Sequence, residues 1–407
     1  MTISIFCNTT SVGTLEIWAK GLKETYQFTY SPKWLQQGFS LDPALPFCET
    51  PTLSTTLWGC FTDTCPDRWG RFVQRGKQGL LSPSAYLLGV SDFFRLGALR
   101  CFVGNAFISN TSQIPKPIHL QDLQRACVKL EQGQASQADF QKLLAPSGSL
   151  GGARPKASVV KDNVLYIAKF SSIKDKDTQV VACEQTMLEV ARLAGINTCE
   201  SHLLHTDMGA VLLVKRFDRE NNERIPYMSA LTLLSAQDEL NQDYCNLAKK
   251  LEAQDRLELF RRMVFNGLFG NCDDHLKNHG LLYQKGKWRL SPAFDLTPDP
   301  KDFAKQTHAL CFAPDKYLPS LLLFERIKGE FGVSESQFQA ILADMLKAQE
   351  SFESLAKKNK VSAKNLAKLR HNYAHAEFES LRKRMKRGKI KNGARKCQSL
   401  EQCLEQG

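Results

Sequence analysis

The densest concentration of chemically useful side chains is Asn271-Cys-Asp-Asp-His-Leu-Lys-Asn278. The residues before it, Leu257, Phe260, Val264, Phe265 and Leu268, recur at helical spacing, so the run sits at a helix end. Acids and amides packed this closely do not belong in an apolar core. Asp273 and Asn278 are five positions apart, and another acid, Asp295, follows in Ser291-Pro-Ala-Phe-Asp-Leu296. Between them the sequence predicts a hairpin, Gly280–Gln284 and Trp288–Ser291, turning through Lys285-Gly286. One carboxylate to orient a hydroxyl and accept its proton, with an amide and a second carboxylate to hold Mg²⁺ on phosphates, is the equipment of phosphoryl transfer.

Phosphates also need positive charge and backbone N–H groups around them. The loop Ser149-Leu-Gly-Gly-Ala-Arg-Pro-Lys156 can supply both, because Gly151 and Gly152 let the backbone come close to phosphate oxygens. Lys169, in the predicted strand 164–170, adds a cation. Taken singly, such a loop is an ordinary turn and such a lysine an ordinary surface residue. Their order, glycine loop, strand lysine, Asp/Asn loop, then an acid after a hairpin, is that of protein kinases. Two metal readings are weaker. Asp273, Asp274 and His275 are adjacent and do not easily face one ion, and His371 with His375 lacks the second half of a ligand set.

The elements that must carry these groups can be outlined. The first hundred or so residues read as a small α/β unit punctuated by Pro32, Pro43, Pro46 and Pro51, and the polar stretch 105–117 marks a boundary. Residues 120–144 read as helical, followed by strands 157–160 and 164–170 around a Lys161-Asp-Asn turn. Val180, Val181, Met187, Leu188, Ala191 and Ala194 form the stripe of a helix that Gly195 terminates. A strand pair ends at 211–218, and from about Pro226 the chain is mainly helical. The expected division is an N-terminal subdomain (1–110), a lobe with the glycine loop and Lys169 (118–225), and a helical lobe with the catalytic loop and a basic tail (226–407).

Composition agrees with such a protein. The 407 residues are 43% hydrophobic and 24% charged, which excludes a collagen-like, wholly disordered or small disulfide-stapled chain. Thirteen cysteines, an odd number with no C-x-x-C pair, point to reduced thiols. The N-terminus lacks a signal-peptide pattern and no stretch is apolar enough to span a membrane, so a cytoplasmic protein without a membrane partner is expected. The net charge of +12 is concentrated late, in Lys357–Arg370 and in Arg382, Lys383, Arg384, Lys386, Arg387, Lys389 and Lys391. Charge alone leaves two readings of that tail open, a polyanion-binding patch or a solvated helix.

The chain resembles the HipA-like serine/threonine kinase toxins of bacterial toxin–antitoxin systems. The likeness runs through Pro-Asp-x-Trp-Gly-Arg (66–71), Arg-x-Gly-Ala-Leu-Arg (95–100), Ser-Leu-Gly-Gly-Ala-Arg-Pro-Lys (149–156), Lys-Arg-Phe-Asp-Arg (215–219), the Asp-Asp-His-x-Lys-Asn loop and Ser-Pro-Ala-Phe-Asp-Leu. It implies an α+β fold, a two-lobed variant of the protein-kinase fold with an extra N-terminal α/β subdomain and a mainly helical C-terminal lobe. It implies Asp273 as catalytic base, in preference to Asp274, whose position varies in the family, and Asn278 with Asp295 as Mg²⁺ ligands. ATP would be held by Gly151, Gly152, Ala153, Arg154, Lys156 and Lys169, by the adenine-contacting backbone of Lys215, Arg216 and Phe217, and by His275, Lys277, Asn278, Phe294 and Asp295. Lys215 departs from the glutamate of the best-known member, which removes a side-chain contact but not the backbone ones. Ser149, with Ser147 as the alternative, would be autophosphorylated and expel the loop. The implied partners are a helix-turn-helix, HipB-like antitoxin, operator DNA through that complex, and a protein substrate such as an aminoacyl-tRNA synthetase. The competing expectation is a non-catalytic, kinase-like co-repressor.

Overall fold

The computed structural model describes residues 1–407 apart from 77–78, 109–118, 145, 148–151, 153, 176–177, 222, 238–241 and 387–407. The chain opens with an antiparallel meander, β1 (Thr2–Cys7), β2 (Thr10–Lys20) and β3 (Lys23–Tyr30). Alternation puts Ile3, Ile5, Val12, Leu15, Ile17, Tyr26 and Phe28 on its buried face. Helix α1 (Pro32–Gln37) and strand β4 (Thr52–Ser54) follow, then α2 (Gly59–Thr62), α3 (Arg68–Arg75) and α4 (Pro83–Leu88). Strands β5 (Leu99–Val103) and β6 (Ala106–Phe107) complete a six-stranded sheet in the order β4-β3-β2-β1-β5-β6.

The helical stretch expected over 120–144 is made of two helices, α5 (Leu120–Glu131) and α6 (Gln137–Leu144). The chain breaks at Gly133, in the left-handed region at φ +71°, and Ser136 and Asp139 then bond each other's backbone N–H groups to start α6. Strands β7 (Lys156–Lys161) and β8 (Val164–Phe170) turn through Asp162 and Asn163, both at positive φ, the geometry that suits a two-residue hairpin. Helix α7 (Val180–Leu193) leads to β9 (Ser201–Thr206) and β10 (Gly209–Lys215), giving a sheet ordered β7-β8-β10-β9. Gly195, at φ +77°, ends the helix in the expected place.

The remainder begins with a small ribbon, β11 (Arg219–Glu220) and β12 (Glu223–Arg224), and with β13 (Tyr227–Ser229), which the sequence reading missed. Short helices α8 (Ala230–Leu233) and α9 (Tyr244–Ala248) precede the long α10 (Ala253–Phe269). The hairpin is β14 (Gly280–Gln284) with β15 (Lys287–Leu290), and β13 joins β14 as a third strand. Helices α11 (Leu321–Ile327), α12 (Glu335–Lys358), α13 (Ala363–Leu369) and α14 (376–386) finish the described chain. Phe260, Phe265 and Phe269 of α10, Phe338 and Phe352 of α12, and the apolar side of α7 share one core, which fixes α7 against the helical lobe. These parts form an α+β, two-lobed, protein-kinase-like fold with an additional N-terminal α/β unit. Among the described residues no helix is long and apolar enough to cross a membrane.

Candidate active site

Helix α10 stops at Gly270, at φ +64°, where a Cβ would lie 2.3 Å from Asn372 Oδ1, so the sharp exit into 271–278 requires glycine. The loop behind it is tied down from within. Asn271 accepts from Thr297 N–H (3.0 Å) and donates to Asn266 (3.0 Å). Asp274 is fully buried and accepts from Tyr244 OH (2.7 Å), Ala309 N–H (3.0 Å) and Leu310 N–H (3.3 Å), with His308 Nδ1 at 3.1 Å. The adjacent Asp273 points the other way, its side chain 61% exposed. Of the two neighbouring carboxylates one is thus a strut and the other is open to a reactant. The cleft walls push the Asp273 carboxyl upward, against the pull of His275, whose Nε2 lies 3.7 Å away. Asn278 folds back so that its Nδ2 donates to the Asp273 carbonyl at 2.7 Å.

Opposite this loop, β8 carries Lys169. Its Nζ sits 2.5 Å from Glu184 Oε1 on α7 and 2.9 Å from Asp295 Oδ1. Burial opposes the lysine's charge, but the two carboxylates outweigh it and hold its pKa above the ordinary value. Burial likewise works against ionised Asp295, yet Lys169 and then Lys156 hold that carboxyl at about 2. At Glu184 burial wins and the carboxyl is pushed up. Asp295 itself has φ +57°, a strained conformation for a residue with a Cβ.

Of the remaining predicted residues, Gly152 and Lys156 lie at this triad. Gly152, at φ +96°, lies over it, for a Cβ there would be 2.8 Å from Lys156 Nζ and 3.5 Å from Asp295 Oδ2. Ser149, Gly151 and Ala153 lie outside the described residues. Arg154 pairs with Asp175 (2.9 Å) and, with Asp273, Thr178, Thr297, Asp299 and Lys368, lines a cavity of about 400 Å³. His275 is half-buried and Lys277 exposed on the loop. Phe217 packs on Phe294 with ring centroids 5.4 Å apart. Lys215 is half-buried and paired with Glu200 (2.9 Å). The Arg216 guanidinium turns away from the cleft, to Asp218 (2.6 Å) and to the carbonyls of Phe94 and Arg95, so only its backbone is available to a nucleotide. Ser147 is buried and donates to the Lys156 carbonyl (3.3 Å).

Two functional candidates escaped the sequence reading. Glu184 was passed over inside the apolar stripe of α7, although a lone acid on a buried helix face needs a cation. Asp67, part of the Pro-Asp-x-Trp-Gly-Arg motif but given no role there, reaches Lys156 Nζ at 3.0 Å. In the part of the basic tail within α14, Arg384 is paired with Glu325 (2.8 Å) and Arg382 with Glu379, which leaves Lys383 and Lys386 as its exposed basic residues, while Arg387, Lys389 and Lys391 lie outside the described residues. His371 and His375 form no metal group with other residues among those described.

A lysine locked to a helix glutamate across from an Asp/Asn loop defines the protein-kinase class of sites. Residues 148–352 match the family model for the HipA-like C-terminal domain and residues 3–88 that for the HipA N-terminal domain, and the chain belongs to the HipA family. A solved structure of HipA from Shewanella oneidensis MR-1, in a complex with HipB and its operator DNA, superposes with a TM-score of 0.65 at 16% identity, covering 91% of this chain and 95% of that one. The curated "Putative kinase Y4dM" of Sinorhizobium fredii is 30% identical over 159 residues, 34% of this chain, and the match spans only 39% of that relative.

Proposed function

We propose that the protein is an ATP-dependent serine/threonine protein kinase acting as the toxin of a toxin–antitoxin pair. The observation that carries this reading is the Glu184–Lys169–Asp295 triad facing an open Asp273. Asn278 and Asp295 offer the hard oxygen donors that Mg²⁺ prefers, and Lys169, Lys156 and the backbone at Gly152 surround the space for phosphates. Bound Mg²⁺ would neutralise phosphate charge. Asp273 orients the acceptor hydroxyl and takes its proton as that oxygen bonds to the γ-phosphorus and the bond to the β-phosphate oxygen breaks, releasing ADP. Lys169 holds phosphate oxygens while Glu184 keeps the lysine in place. Backbone of Lys215–Phe217, with Phe294 beside it, forms the adenine side.

In the same reading Ser149 is the autophosphorylation site, because Ser147 is buried and already hydrogen-bonded. A HipB-like antitoxin and operator DNA are the proposed partners, supported by the assembly in which the Shewanella HipA was solved. An aminoacyl-tRNA synthetase in the cytoplasm is the proposed class of target. The test is phosphate incorporation from Mg-ATP into the protein itself or a cell extract. Asp273→Asn should reduce it at least about 10²-fold, since a general base supplies that much, and full activity in that variant would end the kinase reading.

A further inference from the structure

One short segment of the N-terminal unit, Asp63–Trp69, reaches both sides of the site. At one end, half-buried Asp63 accepts hydrogen bonds from Ser229 N–H (2.7 Å), Ser229 Oγ (2.7 Å) and Thr232 Oγ1 (2.8 Å). Ser229 closes β13 and is paired with Gly280, two residues beyond the Asp/Asn loop. At the other end, Trp69 donates from its backbone N–H to Gly152 O (3.5 Å) and from its indole Nε1–H to Lys156 O (3.0 Å). Between them Asp67 uses its two oxygens separately. Oδ1 accepts from Gly70 N–H (2.7 Å) and caps α3, while Oδ2 meets Lys156 Nζ (3.0 Å) in a pair whose side chains are 11% and 3% exposed. A cap alone needs one oxygen and no charge. The second oxygen holds a lysine that is 89 residues away in sequence and lies directly beneath Gly152.

We propose that Asp63–Trp69 is a staple across the cleft, and that Asp67 and Trp69 are positioning residues that set Gly152 and Lys156 on the phosphate side of the site. The proposal rests on the nucleotide reading above and goes beyond it: the N-terminal unit is a working part of the nucleotide site and more than an appended docking module. Asparagine at 67 keeps the helix cap and loses the ion pair, so Asp67→Asn separates positioning from folding.

The full-length protein, Asp67→Asn, Lys156→Ala and the double variant would be compared by calorimetric Kd for Mg-ATP, by KM and kcat for phosphate incorporation, and by thermal melting. The expected result is that Asp67→Asn raises Kd and KM about tenfold, the effect of one charge-assisted contact, while kcat and melting temperature stay near wild type. Added to Lys156→Ala it should change nothing more, because both act through one amine. Trp69→Phe, which deletes the indole donor and shrinks the ring, should move Kd in the same direction. An unchanged Kd in Asp67→Asn, a fall in kcat and melting temperature without a KM effect, or losses that multiply in the double variant would overturn the proposal. If the wild type bound no ATP, the nucleotide reading would fail by itself. Amide exchange of a peptide covering 154–161, measured without nucleotide, then tests the staple: faster exchange in Asp67→Asn supports it, and unchanged exchange removes it.

Discussion

Glu184→Gln isolates what the helix glutamate contributes. In the free protein Lys169 is shared between Glu184 and Asp295. If Asp295 turns to a metal when nucleotide binds, the lysine moves to the phosphates with Glu184 as its remaining anchor. Glutamine keeps the shape and one acceptor but removes the charge. With both partners ionised the contact sits toward the upper end of roughly 1.5–3 kcal/mol, and with only the lysine charged it falls to about the lower end of that range or just below it. The difference, about 1–2 kcal/mol, corresponds to a loss of about 5- to 30-fold in kcat/KM at limiting ATP. Stability should change little, because burial already disfavours the ionised Glu184 and Lys169 retains Asp295 at 2.9 Å. Initial rates of phosphate incorporation over a range of ATP concentrations, with thermal melts of the same preparations, measure both quantities. Wild-type kcat/KM in Glu184→Gln would refute the anchor, and a collapse in melting temperature paralleling the lost rate would show that the glutamate is structural.

Asp274→Asn should behave in the opposite way to Asp273→Asn, losing about 1–3 kcal/mol of unfolding free energy because a buried amide donor replaces an acceptor that four groups share; denaturant titration of the two variants checks it. Acid should destabilise the protein early. Burial lowers His279 to about 4 from 6.5, so below pH 6.5 the unfolded chain binds a proton that the folded one refuses, and about 3 kcal/mol is lost between pH 6.5 and 4. His375 and His202 shift in the same direction, whereas stability from ionised Asp295, held at about 2, is lost only between about pH 4 and 2. Melting temperatures that stay flat from pH 7.5 to 4.5 would contradict that account. For the tail, neutralising Lys383 and Lys386 should flatten the salt dependence of operator binding by the antitoxin complex by a slope of about 2. Arg384→Gln should instead loosen the packing of α14 on α11 through lost Glu325 contacts, which urea titration would reveal.

Much of this protein is written locally. The Asp273–Asn278 spacing, the β14–β15 hairpin, the α7 stripe ended by Gly195 and the β7–β8 turn depend on neighbours a few residues apart, where backbone geometry and side-chain periodicity decide the outcome. The break between α5 and α6 was also local, but its signal, Gly133 and then Ser136, was outweighed by the apolar pattern on either side. Other features exist only after packing. Lys169 and Asp295 are 126 residues apart, Asp67 and Lys156 89, Asp274 and His308 34. Nothing in the order of residues says which buried charge will meet which, because that is set by how α7, the four-stranded sheet and the N-terminal unit pack around the cleft. The sequence by itself determined the chemistry available at the site. Tertiary structure decided that Asp273 is open while its neighbour is a strut, that Glu184 meets the lysine, and that a segment from the N-terminal unit bonds to Gly152 and Lys156, since burial and charge pairing at those positions are properties of the assembled fold.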